Sequence, residues 1–179
     1  MQLGKSLTIE GFIESIADFS FQEKYFKWQS YVKNLKKEES QYYQAGVEKF
    51  LEYYPFNHTY WNEIIEILVK MPKGKVNTLK MYAYCKGRYQ VALAKNPKCI
   101  TLCKSYLDWL RKELVRSDPN YLKNQIEATT KSIGHHYKAA FVFQYYFEIE
   151  TNVIKKYNMM KKAMVSPLEN IETIYQIFL

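Results

Sequence analysis

Apolar and aromatic residues recur along this chain at intervals of three and four and nowhere sustain the alternation of a strand, so the pattern predicts helices throughout. The first clear stripe runs from Phe21 to Lys36, with Tyr25, Trp28 and Tyr31 on one face and Phe21 and Val32 flanking it. It ends in the charged run Lys36 to Glu39. A second helix, over about Ser40 to Tyr54, aligns Tyr43, Val47, Phe50 and Leu51 and stops at Pro55, since the residue before a proline disfavours helix. A third covers Thr59 to Met71 with Trp61, Ile64, Ile65 and Leu68 inward, and breaks over Pro72 to Val76. The fourth is capped at Asn77 or Thr78, carries Met81, Tyr82, Tyr89, Ala92 and Leu93, and stops at Asn96-Pro97.

A fifth helix, Ile100 to Arg116, presents Cys103, Tyr106, Leu107 and Leu110, and Ser117-Asp118-Pro119 supplies an N-cap with proline at the next helix's first position. The sixth, Asn120 to Ser132, turns Leu122, Ile126 and Thr129 inward and closes on Gly134, read as a left-handed cap. Tyr137 to Thr151 is dense in aromatics, Asn152 to Val165 ends before Pro167, and Leu168 to Leu179 opens a further hairpin.

These hairpins repeat. Trp28, Trp61, Cys103 and Phe143 superpose as one position, at separations of 33, 42 and 40 residues, with Tyr31, Ile64, Tyr106 and Tyr146 three residues later as another. The stop prolines Pro55 and Pro97 are likewise 42 apart. Two helices per unit at a period of ~34–45 residues predict a helical solenoid, each hairpin stable only against its neighbours. The fold expected is all-α: a right-handed helical-hairpin solenoid of about four repeats. It forms a single domain over 1–179, with repeats near 20–55, 56–97, 98–134 and 135–167 and with 168–179 as a further repeat or cap.

Composition agrees with helix. Six glycines and five prolines in 179 residues are about half the usual share of ~12%, too few turn formers for a many-stranded sandwich or barrel. The longest unbroken apolar run, Ala139 to Phe143, falls far short of the ~18 residues of a membrane span. Glu10, Glu14 and Asp18 stand where a secretory signal would be apolar, and Cys85, Cys99 and Cys103 are odd in number, so an intracellular protein with reduced thiols is expected.

Net charge is +8, and its distribution is uneven. No acid lies between Glu66 and Asp108, a window holding Lys70, Lys73, Lys75, Lys80, Lys86, Arg88, Lys95, Lys98 and Lys104. A second acid-free window, Glu150 to Glu169, holds Lys155, Lys156, Lys161 and Lys162. Such windows serve either as solvated helix faces or as contacts for phosphate or an acidic partner.

The units resemble half-a-tetratricopeptide (HAT) repeats, whose first helix carries a Trp-x-x-Tyr pair and whose second ends in proline. Val47-Glu48-Lys49-Phe50-Leu51-Glu52-Tyr53-Tyr54-Pro55, followed by Tyr60-Trp61, resembles the phrase closing the first repeat of the pre-mRNA-processing factor 39 family. Ser105-Tyr106-Leu107-Asp108-Trp109-Leu110, then Asp118-Pro119, Ile133-Gly134 and the aromatic helix Phe141 to Glu150, is similar in content and order to that family's later N-terminal repeats. Phe143, Tyr146 and Glu150 take the places of its tryptophan, tyrosine and acid. Ile64, Leu68, Val91, Cys103 and Phe143 depart from the usual tyrosine, acid, arginine, tryptophan and tryptophan. The family is longer than this chain, and its dimerising second half has no counterpart here.

The resemblance implies a nuclear, non-enzymatic scaffold in the U1 snRNP, acting in pre-mRNA splicing at 5′ splice-site recognition and early spliceosome assembly. Its partners would be other U1 snRNP proteins, U1C-like and U1-70K-like, with no cofactor, membrane or small-molecule substrate. Two alternatives stand beside it: a HAT module of 3′-end cleavage or ribosomal RNA maturation, and a direct RNA-binding domain using Lys73, Lys75, Lys80, Lys86 and Arg88 on phosphates.

No catalytic constellation is visible. His135 and His136 are adjacent in a loop and point apart, Cys99 and Cys103 lack a second ligand pair at zinc spacing, and no glycine-rich phosphate loop or nucleophile elbow occurs. The chain holds 17 tyrosines, 10 phenylalanines and 3 tryptophans, which invite base stacking, but Trp28, Tyr31, Trp61, Ile64, Tyr106, Phe143 and Tyr146 are assigned to the repeat core. Tyr42, Tyr53, Tyr54, Phe56, Tyr84 and Tyr145 fall outside the register and are the candidates for an exposed protein interface.

Overall fold

The structure, a computed structural model, describes residues 8–70, 78–114 and 118–179, the side chains at 68–70 and 78–81 excepted. Among these residues the regular elements are ten α-helices, with no strand: α1 (Ile9–Ser15), α2 (Phe21–Lys37), α3 (Tyr43–Tyr53), α4 (His58–Lys70), α5 (Thr78–Lys95), α6 (Ile100–Leu114), α7 (Pro119–Ile133), α8 (Ala140–Ile149), α9 (Val153–Met164) and α10 (Ile171–Phe178). The expected break over Pro72 to Val76 and the Asn77 cap lie outside the described residues. The contacts divide the chain into two compact units, Met1–Cys85 and Lys86–Leu179, the division falling within α5. In the first, α2 packs on α3 and α3 on α4; in the second, α6, α7, α8 and α9 pack in succession, and α10 lies against both α8 and α9.

Local chemistry sets the helix ends. Ser20 and Glu23 form a reciprocal capping box that starts α2, and Glu39 ends it. At φ +49° Glu39 is left-handed, with the Glu39 N–H bonded to Lys36 O at 3.2 Å and the Ser40 N–H to Leu35 O at 2.9 Å, the paired bonds of a Schellman motif. Asp118 caps α7 through Oδ1, 2.9 Å from the Tyr121 N–H, with Pro119 in the first turn as the sequence predicts. Gly134 departs from expectation. Its φ of −58° is right-handed, and glycine is required there by close approach, because a Cβ would lie 2.3 Å from Thr130 O.

α1 is an element the sequence reading left out. Its buried Phe12 stacks on Tyr31 at 4.1 Å and 6° and meets the edge of Trp28 at 4.9 Å, so the α2 aromatic pair is covered from the N-terminal side as well as by Phe50 of α3.

The turns after α3 and α5 share three backbone hydrogen bonds 42 residues apart. The Tyr54 N–H bonds Phe50 O at 2.9 Å, and the Asn96 N–H bonds Ala92 O at 2.9 Å. Asn57 N–H to Tyr54 O, 3.2 Å, corresponds to Cys99 N–H to Asn96 O, 3.1 Å; Trp61 N–H to Asn57 O, 3.3 Å, corresponds to Cys103 N–H to Cys99 O, 3.0 Å. In both, the first-helix side chain faces the carbonyl of the stop proline. The Trp61 indole Nε1–H reaches Pro55 O at 2.8 Å, whereas Cys103 Sγ is 4.0 Å from Pro97 O. That second carbonyl is taken up by Ser132 Oγ, which donates to it at 2.6 Å.

Trp61 thus combines nearly complete burial with a bond that only its ring nitrogen can make. Trp61→Ala is expected to cost roughly 3–5 kcal/mol in urea denaturation, and Trp61→Phe about 1–2 kcal/mol from the lost bond; an unchanged melting curve for Trp61→Ala would refute the register. Glu39→Gly is expected to raise stability by about 0.5–1 kcal/mol, because glycine adopts the left-handed conformation without the Cβ penalty.

Candidate functional site

The repeat-core residues Trp28, Tyr31, Trp61, Ile64, Tyr106, Phe143 and Tyr146 are all buried. The off-register aromatics divide. Tyr42, Tyr53, Phe56 and Tyr84 are exposed, Phe56 by 54%, and the Tyr84 hydroxyl donates to Glu48 Oε1 at 3.0 Å. Tyr54 and Tyr145, expected at the surface, are not there: they are 2% and 8% exposed. Tyr54 ends α3 inside a ring cluster with Phe21, Tyr25 and Phe50, at centroid distances of 5.0–5.2 Å. Tyr145 faces α6, where its hydroxyl donates to Asp108 and the Arg111 guanidinium lies 3.9 Å from its ring centroid. Burial therefore pushes the Tyr145 hydroxyl above its ordinary pKa, and the bond to Asp108 adds to the effect.

Of the expected phosphate-binding cations, Lys73 and Lys75 lie outside the described residues, as does the side chain of Lys80. Lys86 and Arg88 are half-buried on α5, with Lys86 Nζ 4.2 Å from the Tyr121 ring centroid. Lys104, in the same window, bonds Asp108 at 2.7 Å. No phosphate cradle is assembled from the described part of this window.

The second basic window leads instead to a groove. α7 and α9 both pack on α8, and between them opens a cavity of about 590 Å³. α7 contributes Glu127, Thr130 and Lys131; α9 contributes Lys155, Asn158, Met159 and Lys162, which fall on one face at helical spacing. Phe143 and Tyr146 of α8 form the floor. His135 and Ser166 also line it: Ser166 Oγ donates to Lys162 O at 2.9 Å and lies 3.3 Å from His135 Nδ1.

Electrostatics in the groove are one-sided. Lys131, Lys155 and Lys162 are exposed, and among the described residues none has a carboxylate oxygen within the 4.0 Å of an ion pair. The acids nearby are committed elsewhere. Tyr146 Oη lies 3.3 Å from Glu127 Oε1 and 3.3 Å from Glu150 Oε2, and Lys123 pairs with Glu150 at 3.0 Å. Burial alone would push the Glu150 carboxyl up; the Asn152 backbone N–H, the Lys123 ammonium and the Tyr146 hydroxyl outweigh it, so its pKa lies below the ordinary value.

Sequence reasoning anticipated Lys155 and Lys162 as candidates for acidic contact but missed Lys131, Asn158 and Met159. The spacing of Lys155, Asn158 and Lys162 carried a signal for one wall; nothing local announced that α7 would supply the other.

Among the described residues no group of three or more His, Cys, Asp or Glu stands together to hold a metal. Burial pushes the Cys103 thiol up to about 11, so it is protonated at neutral pH and a poor nucleophile. His136 Nδ1 accepts the Lys138 N–H at 3.1 Å, a local loop cap. No protein-family model matches the chain, no curated protein matches it, and no solved structure matches it.

Because the folded Glu150 carboxyl titrates below its unfolded value, its stabilisation is complete above the unfolded carboxylate pKa of about 4.3 and is lost as pH falls through the lower folded value. Glu150→Gln is expected to be about 1–3 kcal/mol less stable at pH 7, with the gap to the parent chain narrowing as unfolding is measured at successively lower pH below 4.

Proposed function

We propose that this chain is a non-enzymatic, protein-binding scaffold of HAT-like helix pairs, working in the nucleus as part of an RNA-processing particle. The observation that carries the reading is the turn geometry repeated 42 residues apart, with three shared backbone bonds and a first-helix side chain facing each stop-proline carbonyl. Stacked helix pairs of this kind present grooves and exposed helix faces to partner segments, and the described residues offer such a groove. By its resemblance to the pre-mRNA-processing factor 39 family, the particle is the U1 snRNP, with U1C-like and U1-70K-like subunits as partners. A HAT module of 3′-end cleavage or ribosomal RNA maturation keeps the fold and changes the particle.

The groove lysines favour one competing reading, direct RNA binding through phosphates. The two differ in salt response. Binding through several lysines weakens with a log-log slope of about −0.7 per neutralised phosphate on single strands, whereas a partner held by apolar anchors is less sensitive.

Affinity capture from nuclear extract treated with ribonuclease, repeated at high salt and read by mass spectrometry, tests the proposal. U1 snRNP proteins are expected to persist through both treatments. Their loss with ribonuclease or salt would transfer the assignment to RNA, and recovery of cleavage or ribosome-assembly factors would replace the particle.

A further inference from the structure

We infer that the groove between α7 and α9 docks an acidic peptide segment of a protein partner, its carboxylates on Lys131, Lys155 and Lys162 and an apolar residue between them against Val165. This rests on the scaffold reading and gives its partner a chemistry. Charge complementarity chooses the occupant. The groove shows three cations without carboxylate partners, while its one lining acid, Glu127, faces the Tyr146 hydroxyl and the neighbouring Glu150 is held by Lys123 and the Asn152 N–H. A partner's carboxylates supply the counter-charge that the described residues do not place there.

Geometry narrows the peptide. Lys155 and Lys162 are seven residues apart on one face of α9, about 10 Å along the axis at the helical rise. In a polyproline-II segment, with three residues per turn and a ~3.1 Å rise, side chains three residues apart share one side and lie about 9 Å apart, so an extended peptide of that form with acids at positions one and four matches the two lysines. Lys131 stands on the opposite wall and can take a third carboxylate or the other oxygen of the first. Phe143, Met159 and Val165 give the groove its apolar lining, and its volume of about 590 Å³ is within the ~300–1,000 Å³ range of ligand sites.

The floor argues for peptide over nucleic acid. Phe143 and Tyr146 are 1% and 2% exposed, so neither ring offers a free face on which a base could stack, the contact that single-strand binders add to their basic grooves. Exposed apolar surface in the groove comes from Val165, 78% exposed, against which an aliphatic side chain can lie.

The test uses the full chain and an array of decapeptides bearing two glutamates three residues apart with a leucine between them. Their glutamine counterparts and a ten-nucleotide uridine RNA are titrated alongside. The glutamate peptides are expected to bind, with affinity falling about tenfold or more in the glutamine series and again in Lys155→Gln/Lys162→Gln, whose melting temperature stays at the parent value because both side chains are exposed. Lys112→Gln, an exposed lysine on α6, is expected to leave binding unchanged. Equal binding of glutamate and glutamine peptides, no binding of either, or an RNA that binds more tightly and is lost in the double variant overturns the inference. The same double variant in the nuclear-extract capture separates the two levels. Partners retained there with no peptide binding leave the scaffold reading standing and remove the groove from it; no protein partner for the parent chain removes both.

Discussion

A proline that stops a helix leaves carbonyls at the turn without an intrahelical donor, and two of this chain's helix pairs are organised around meeting that need. At Pro55 the donor is the indole of Trp61, one turn into the following helix, so a nearly fully buried residue also fixes the angle at which α4 leaves the turn. At Pro97 the equivalent position is Cys103, whose thiol is too short and too weak a donor at 4.0 Å. Ser132, at the end of α7, donates instead. One constraint is therefore met by two chemistries, the second of which ties α7 to the turn preceding α6. The departure from tryptophan at this position is compensated from the neighbouring helix rather than left as a gap.

α8 shows how the same economy builds the second unit. Six of its ten residues, Phe141, Val142, Phe143, Tyr145, Tyr146 and Phe147, are buried, because α7, α9 and α10 all pack on it. Its adjacent tyrosines turn their hydroxyls to different neighbours: Tyr145 to Asp108 of α6, Tyr146 to Glu127 of α7 and to Glu150. Each hydroxyl is the polar tip of a ring whose body fills the core, so the helix gains orientation without leaving a buried donor unpaired. The groove floor inherits that rigidity.

Most helices could be read from apolar spacing because each buries one stripe, and their ends were marked by proline or a capping side chain. The errors have physical causes. α1 and its C-cap carry Ile9, Phe12, Ile13 and Ile16 at helical spacing, yet the helix is seven residues long and contains Gly11, so its periodicity is brief. Tyr54 and Tyr145 lie off the repeat register, which describes one stripe per helix. A helix with neighbours on several sides buries residues beyond that stripe. Gly134 was assigned a left-handed φ because glycine after a helix usually means that; here the missing Cβ matters for its volume. The groove was half legible: α9 gives its face by spacing, but a tertiary pairing of α7 with α8 is needed to set Lys131 opposite.

The distribution of ion pairs explains why those lysines matter. Lys36, Lys49, Lys104, Arg111 and Lys123 pair with Glu63, Glu52, Asp108, Glu148 and Glu150, and three of these pairs join different elements. In water at physiological salt, repulsion among Lys131, Lys155 and Lys162 is damped over a screening length of about 8 Å, so leaving them without acids costs the free protein little. When a partner displaces that water the screening falls, and any occupant without negative charge meets three ammonium groups. The groove then selects by rejection as much as by attraction, since a neutral or basic segment loses the solvation that kept the lysines tolerable and returns nothing for it.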